Sequence, residues 1–323
     1  MPNITFPRRL LLTGLAMPAI AQAQESWPNR PVRIVVPFPP GGSNDTIARP
    51  LADKLARHLG QPFVIENRGG AGGAIGTGAV AQAPADGYTL MVTSSSFPTS
   101  AVLQRQPWDA EGSFDAITLL ARAPFFIMVN PAFPARDVPG LVALSKQRPG
   151  SVDYGTSGAG GINHFITEYF CLQAGIQMNH IPYRGTAPAV TDLMAGNIML
   201  MMTTVASANA AIREGRVRCI AATAEGGELP PGVAPVTTVK QQGVDYEASI
   251  WWGLLAPKGV PEPVRRAIHR ACAEALADAN VARIYDAEGA KPAPGPFGEF
   301  TEVLHADLER WRRVKTAANI RAE

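Results

Sequence analysis

Short apolar runs bounded by proline and glycine alternate along this chain with stretches whose apolar residues recur every three or four positions. That alternation predicts strands and helices in turn, the pattern of an α/β protein built on parallel sheets. Val32–Pro37 reads as a buried strand, followed by a helix carrying Ile47, Leu51, Leu55 and Leu59 at i, i+4 spacing and bent at Pro50. Phe63–Glu66 and Tyr88–Thr93 read as the next strands, with a glycine-rich stretch, Asn67–Gly78, between them.

Phe125–Asn130 starts what reads as a second set. Helices are predicted over Val138–Gln147, His164–Ala174, Pro188–Gly196 and Ala206–Glu214, and strands over Asp153–Thr156, Asn179–Pro182, Asn197–Met202 and Val217–Thr223. Ser249–Ala256 returns as a strand, where alternation sends Trp251 and Trp252 to opposite faces, one to the core and the other toward a cleft. The carboxyl end is helical: Val264, Ile268, Cys272 and Leu276 share one face, and Phe300, Val303, Leu304, Leu308 and Trp311 another.

The chain has 323 residues, 46% of them apolar and 17% charged, a core-forming composition long enough for two domains. Its formal charge is +2, and Arg8 and Arg9 account for that excess because residues 1–23 contain no acid. A balanced remainder without a basic run excludes nucleic-acid binding as the main task, so any charged ligand must be held by local groups. Met1–Ala23 reads as a cleaved export signal: two arginines, an apolar run too short to span a bilayer, and a small-x-small site, Ala21-Gln22-Ala23, before a mature start at Gln24. Pro18 opposes a buried helix there, and the paired arginines permit twin-arginine export. Cys171, Cys219 and Cys272 lie far apart and read as buried small hydrophobes.

In open α/β sheets ligands bind beyond the carboxyl ends of strands, against helix N-termini. Four loops at such positions are rich in residues that let backbone N–H groups converge on an anion: Phe38–Asp45, Thr93–Ser96, Gly155–His164 and Tyr183–Ala187. Other motifs fail on their chemistry. Gly76-Thr77-Gly78-Ala79-Val80-Ala81 fits a dinucleotide fingerprint but stands too far from its strand. Gly155-Thr156-Ser157-Gly158-Ala159 departs from a nucleophile elbow at Ala159, which weakens the alternative of an exported serine hydrolase built on Ser157 and His164. The five histidines show no metal-ligand spacing, and no cofactor motif is present.

Several long segments in order resemble the substrate-binding receptors of tripartite tricarboxylate transporters, the Bug receptors. They include Pro31-Val32-Arg33-Ile34-Val35-Val36-Pro37, Pro40-Gly41-Gly42-Ser43-Asn44-Asp45, Gly60-Gln61-Pro62-Phe63-Val64-Ile65-Glu66-Asn67-Arg68, Asp86-Gly87-Tyr88-Thr89-Leu90, Pro182-Tyr183-Arg184-Gly185-Thr186-Ala187-Pro188 and Trp252-Gly253-Leu254-Leu255-Ala256-Pro257. The resemblance implies a two-lobed periplasmic binding protein of type II, with an α/β sheet in each lobe and a hinge between them. Residues 24–121 with 225–323 would form the first lobe and residues 122–224 the second.

It further implies a monomeric, non-enzymatic receptor that closes around a small carboxylate and delivers it to membrane permease subunits, without metal or cofactor. A ligand-sensing accessory protein for a membrane signalling receptor is the alternative client. By position the resemblance implies ligand contacts from Phe38, Gly42, Ser43, Asp45, Ser94 and Ser95 in one lobe. It implies Ser157, Gly158, His164, Arg184, Gly185 and Thr203 in the other. Met199, Met202 and Thr203 stand where the family commonly has aspartate, phenylalanine and aspartate. Those changes either admit a different ligand or only repack the strand.

Overall fold

A computed structural model of the protein describes residues 27–321, so the export segment expected over residues 1–23 lies outside the described residues. The chain runs β1 (Val32–Val36), α1 (Ser43–Leu59), β2 (Phe63–Asn67), a 3-10 turn (Ala71–Gly73), α2 (Ala74–Ala81), β3 (Thr89–Ser94), α3 (Ser96–Leu103) and β4 (Phe114–Pro124). It continues through β5 (Phe126–Val129), α4 (Val138–Gln147), β6 (Asp153–Thr156), α5 (Ile162–Ala174), β7 (Asn179–Pro182), α6 (Thr186–Ala195), β8 (Leu200–Thr203), α7 (Val205–Arg213) and β9 (Arg218–Ala222). It ends with β10 (Ser249–Pro257), α8 (Glu262–Leu276), α9 (Ala279–Ala287), β11 (Lys291–Pro292) and α10 (Glu299–Ala317).

Among the described residues these strands form two sheets, ordered β11-β4-β10-β3-β1-β2 and β7-β6-β8-β5-β9. Each contains three parallel strands, β2-β1-β3 in one and β7-β6-β8 in the other, followed by an antiparallel strand through which the chain enters from the other sheet. The repeated order aims the carboxyl ends of the parallel strands, and the helices that start there, at the region where the chain crosses. Hydrophobic burial holds each sheet: Ile34, Leu90, Leu120 and Leu254 share a core with α1 and α8, while Ile127, Tyr154, Phe165 and Leu200 share one with α5.

The crossings are tied to one another. Phe125 carries the chain out from β4, and its N–H donates to the Thr223 hydroxyl at 2.8 Å. That hydroxyl donates to the Ala248 carbonyl at 2.6 Å, and the Ala248 N–H donates to the Thr223 carbonyl at 3.1 Å. Thr223 is fully buried, and its hydroxyl ties the outward passage at Phe125 to the return passage at Ala248.

The boundary expected at residues 224 and 225 falls elsewhere in the packing. Val239 and Tyr246 are buried in the core of the second sheet, and the Tyr246 hydroxyl donates to the Ile166 carbonyl at 3.0 Å. Thr238 bridges to Ala222 at the end of β9. This segment therefore belongs with the second sheet until β10 begins. The last helix joins both bodies: Phe300, Leu304 and Leu308 pack with Trp251 on the first sheet, and Trp311 and Val314 pack with Phe165 and Ile166 in the second core.

Most predicted elements form within a residue or two of their expected limits, and α1 continues through Pro50. β4, α2 and α3 form where no element was expected. In α2 a Cβ on Gly76 would lie 2.4 Å from the Arg68 carbonyl, so glycine serves close packing of this helix on the loop after β2. Trp251 and Trp252 take opposite faces as expected, but both are buried, and the Trp251 Nε1–H donates to Asp307 at 2.7 Å. The three cysteines are buried and unpaired.

Replacing Thr223 by valine keeps the shape of the side chain but removes the acceptor for Phe125 N–H and the donor for Ala248. Leaving such buried groups unpaired costs about 1–3 kcal/mol, so Thr223→Val lowers the urea midpoint. An unchanged midpoint would show that the knot contributes nothing to stability.

Candidate functional site

A cavity of about 400 Å3 lies between the sheets. The first residue of α1 (Ser43), the first two of α5 (Ile162, Asn163), the first of α6 (Thr186) and the start of α7 (Thr204, Ala206, Ser207) all line it. Phe125 from the crossing, Thr203 from β8, Ile250 and Trp252 from β10, and Ala287 and Glu288 at the end of α9 complete the wall.

The four helix starts share a further property. They follow Gly42, Gly161, Gly185 and Thr204, and no side chain caps any of them. α4 and α9 differ, because Asp137 and Asp278 accept from their first-turn N–H groups. The first N–H groups of a helix have no intrahelical partner, and the helix dipole adds partial positive charge there. Each terminus contributes about 0.3–1 kcal/mol toward an anion, and each charge-assisted hydrogen bond about 1.5–3 kcal/mol. Micromolar binding needs about 8 kcal/mol, which several such donors reach without help from a lysine or arginine. The cavity wall contains neither.

Ser43 and Thr203, both expected from sequence, face this cavity, and Gly42 and Gly185 stand directly before the lining residues Ser43 and Thr186. Asp45 does something other than expected. Its buried carboxylate accepts from Gly41 N–H at 2.9 Å, from Arg49 Nε and Nη2 at 2.8 and 2.9 Å, and from Asn67 Nδ2 at 2.9 Å. Burial pushes the carboxyl pKa up, but Arg49, Gly41 and Asn67 outweigh it and hold the pKa below the ordinary value. With its oxygens occupied inside the protein, Asp45 shapes the loop before α1 and does not line the cavity.

Phe38 also lies outside the wall; it packs on the first core, and its carbonyl accepts from Asn67 Nδ2 at 3.3 Å. Ser94 and Ser95 are buried at the end of β3 and do not line the cavity either. The Ser94 hydroxyl pairs with that of Ser96 at 3.0 Å. Among the described residues Ser95 Oγ, Asn44 Oδ1 and Trp252 Nε1 are buried without hydrogen-bond partners, and Trp252 is one of the residues that line the cavity.

In the second lobe, Gly185 N–H donates to the Ser157 carbonyl at 3.1 Å and Tyr183 N–H to the Thr156 carbonyl at 3.1 Å, so the two predicted loops form one unit. Gly158 and Gly185 hold φ of 144° and 109°, values that favour glycine. The Ser157 hydroxyl donates to Asn163 Oδ1 at 3.1 Å, and Asn163 Nδ2 donates to the Met202 carbonyl at 2.6 Å. Asn163 thereby fixes the start of α5 to the end of β8. Ser157 and Gly158 thus sit behind the wall. Arg184 is exposed, outside the wall, and among the described residues it makes no hydrogen bond or ion pair. Of the three departures from the family pattern, Met202 is core and Met199 packs against it, leaving Thr203 alone to face the cavity.

Asn163 and Thr186 fall within two of the expected loops without being named as contacts, while Thr204, Ser207 and Glu288 lie outside all four. Thr204 and Ser207, whose hydroxyls pair at 3.0 Å, carry a readable signal, a hydroxyl pair spanning a helix start after a strand. Glu288 carries none.

His164 is a supporting residue, not a wall residue. Its Nδ1 accepts from Gly160 N–H at 3.1 Å, which leaves the ring proton on Nε2, and its ring stacks on His180 with centroids 3.7 Å apart. His180 Nε2 pairs with the Thr156 hydroxyl at 2.7 Å, and Tyr154, whose ring centroid lies 5.1 Å from that of His180 and 6.4 Å from that of His164, donates to Glu168. Ser157 and His164 therefore each engage a different partner.

Both imidazole pKa values are lowered to about 4, that of His180 by burial and that of His164 by burial together with the neighbouring His180. Between pH 6.5 and about 4 the unfolded chain takes up protons that the folded one refuses, so stability falls as pH falls through that window. Two histidine C2–H signals should titrate near pH 4, and His180→Gln should flatten the decline. Midpoints near 6.5 for all histidines would show that the stack does not hold its rings neutral.

The comparisons with known proteins agree with this architecture. Residues 47–320 match the family model TctC, the tripartite tricarboxylate transporter family receptor. BugT of Bordetella pertussis is 34% identical over 305 residues, covering 93% of this chain and 92% of the relative. A TctC solute-binding protein from Polaromonas, solved without ligand, has a TM-score of 0.81 at 26% identity, with 90% of this chain and 100% of that chain covered. A Rhodopseudomonas palustris protein solved with adipate has a TM-score of 0.73 at 31% identity, with 91% and 99% covered. Matched along nearly its whole described length, and sharing the two-lobed binding-protein fold, this chain belongs to the tripartite tricarboxylate transporter family of receptors.

Proposed function

We propose that this chain is a periplasmic receptor that captures a small carboxylate between its lobes and delivers it to the permease subunits of a tripartite transporter. The observation that carries this reading is the convergence of four uncapped helix starts, one from the first lobe and three from the second, on a single cavity without a lysine or arginine. The adipate bound by the Rhodopseudomonas palustris relative supports the ligand class.

In this reading a carboxylate accepts from the first-turn N–H groups and from the hydroxyls of Ser43, Thr186, Thr203, Thr204 and Ser207. Asp45, Ser157, Gly158, His164 and Gly185 hold the backbone that presents those donors. Arg184, exposed beside α6, meets the ligand only as it enters. Because donors come from both lobes, a ligand favours the closed state by the contacts it gains only there. The lobes divide at Phe125 on the outward passage and at Ala248 on the return. Export by the segment over residues 1–23 places the mature chain in the periplasm.

A thermal-shift panel of small carboxylates tests the reading: at least one aliphatic or aromatic acid raises Tm, whereas a panel without any shift overturns it. Ser43→Trp fills the cavity from a half-buried helix start that belongs to neither core. It should lower affinity for that acid at least a hundredfold while leaving the ligand-free Tm within a few degrees. Retained affinity would place the ligand elsewhere.

A further inference from the structure

Every polar side chain on the cavity wall has a hydrogen to donate except Glu288. This residue ends α9 half-buried, and among the described residues its carboxylate makes no hydrogen bond or ion pair. The neighbouring acids are matched: Asp286 accepts from Lys291 at 2.8 Å, and Asp278, at the other end of α9, pairs with Lys54. Lys291 is further committed to Glu228 at 3.6 Å, which leaves Glu288 without a cation. The carboxyl end of α9 adds partial negative charge at the same place.

The wall is therefore polarised, with positive helix starts on one side and an uncompensated carboxylate on another. A dianion held at the helix starts would set its second charge against Glu288. A molecule with a protonated nitrogen would match both. We infer that Glu288 determines specificity, and that the ligand is a zwitterion whose carboxylate sits on the helix starts and whose ammonium faces Glu288. The inference rests on the receptor reading above and narrows its ligand from carboxylates in general to amino acids.

Calorimetric titration of the full mature chain with two matched pairs, 6-aminohexanoate against adipate and glutamate against glutarate, tests it. The amino member should bind at least tenfold more tightly in one pair or both, and Glu288→Gln should erase that preference while far-UV circular dichroism stays unchanged. Equal or tighter binding of the diacid in both pairs overturns the inference, as does a preference that survives in the variant. If Glu288→Gln fails to fold, the wild-type ratio decides alone, and Glu288→Asp, which keeps the charge, should keep the sign of the preference. Diacid binding without amino-acid binding removes this inference and leaves the receptor reading intact, whereas no binding by any carboxylate removes both.

Discussion

The Thr223 hydroxyl sits where the chain passes between the sheets, accepting from Phe125 N–H and donating to the Ala248 carbonyl. Each sheet has its own core, so the relation of the two cavity walls rests on this join at the crossing and on α10, which packs into both bodies. A hydroxyl suits the position because it can donate and accept at once in a place closed to water. The matching strand orders on either side then bring helix starts from both bodies to one space.

What those starts provide is polarity without formal charge. A chain with 29 basic and 27 acidic residues has little net field to draw an acid over long distances, so the local donors must hold it. Backbone donors that are already oriented suit that task, because little reorganisation is needed to bind and none of the donors is a long flexible side chain. The glycines before α1, α5 and α6 leave these donors open, where the aspartates before α4 and α9 would occupy them.

Much of the architecture was legible because the buried strands are short apolar runs and the helices keep strict spacing. β4 was not, since Phe114, Ile117 and Leu120 recur at three-residue intervals in a run rich in alanine and leucine, which fits a helix as well. α2 is hidden by its glycines and α3 by Pro98 in its first turns. At the site, Ser43 and Thr203 were legible from their place after strands. Asp45 and His164 are expected as ligand groups only from their positions in the family resemblance. Their hydrogen bonds to Gly41 and Gly160 are formed within the loop and leave no mark on composition. Glu288 was invisible for another reason: tertiary packing of α9 on elements including the distant α1, through contacts such as the Tyr285 hydroxyl donating to the Ile47 carbonyl, brings it to the cavity.

α10 has its own consequence for how such a molecule moves. At about 1.5 Å per residue its 19 residues span nearly 30 Å, with Phe300 and Leu304 seated in one core and Trp311 and Val314 in the other. The Lys315 ammonium also clasps the Val102 and Leu103 carbonyls at 2.7 and 3.1 Å. A rod seated in both cores, and reaching back through Lys315 to α3 of the first lobe, acts as a strap: sliding the bodies past one another would pull an aromatic anchor into water.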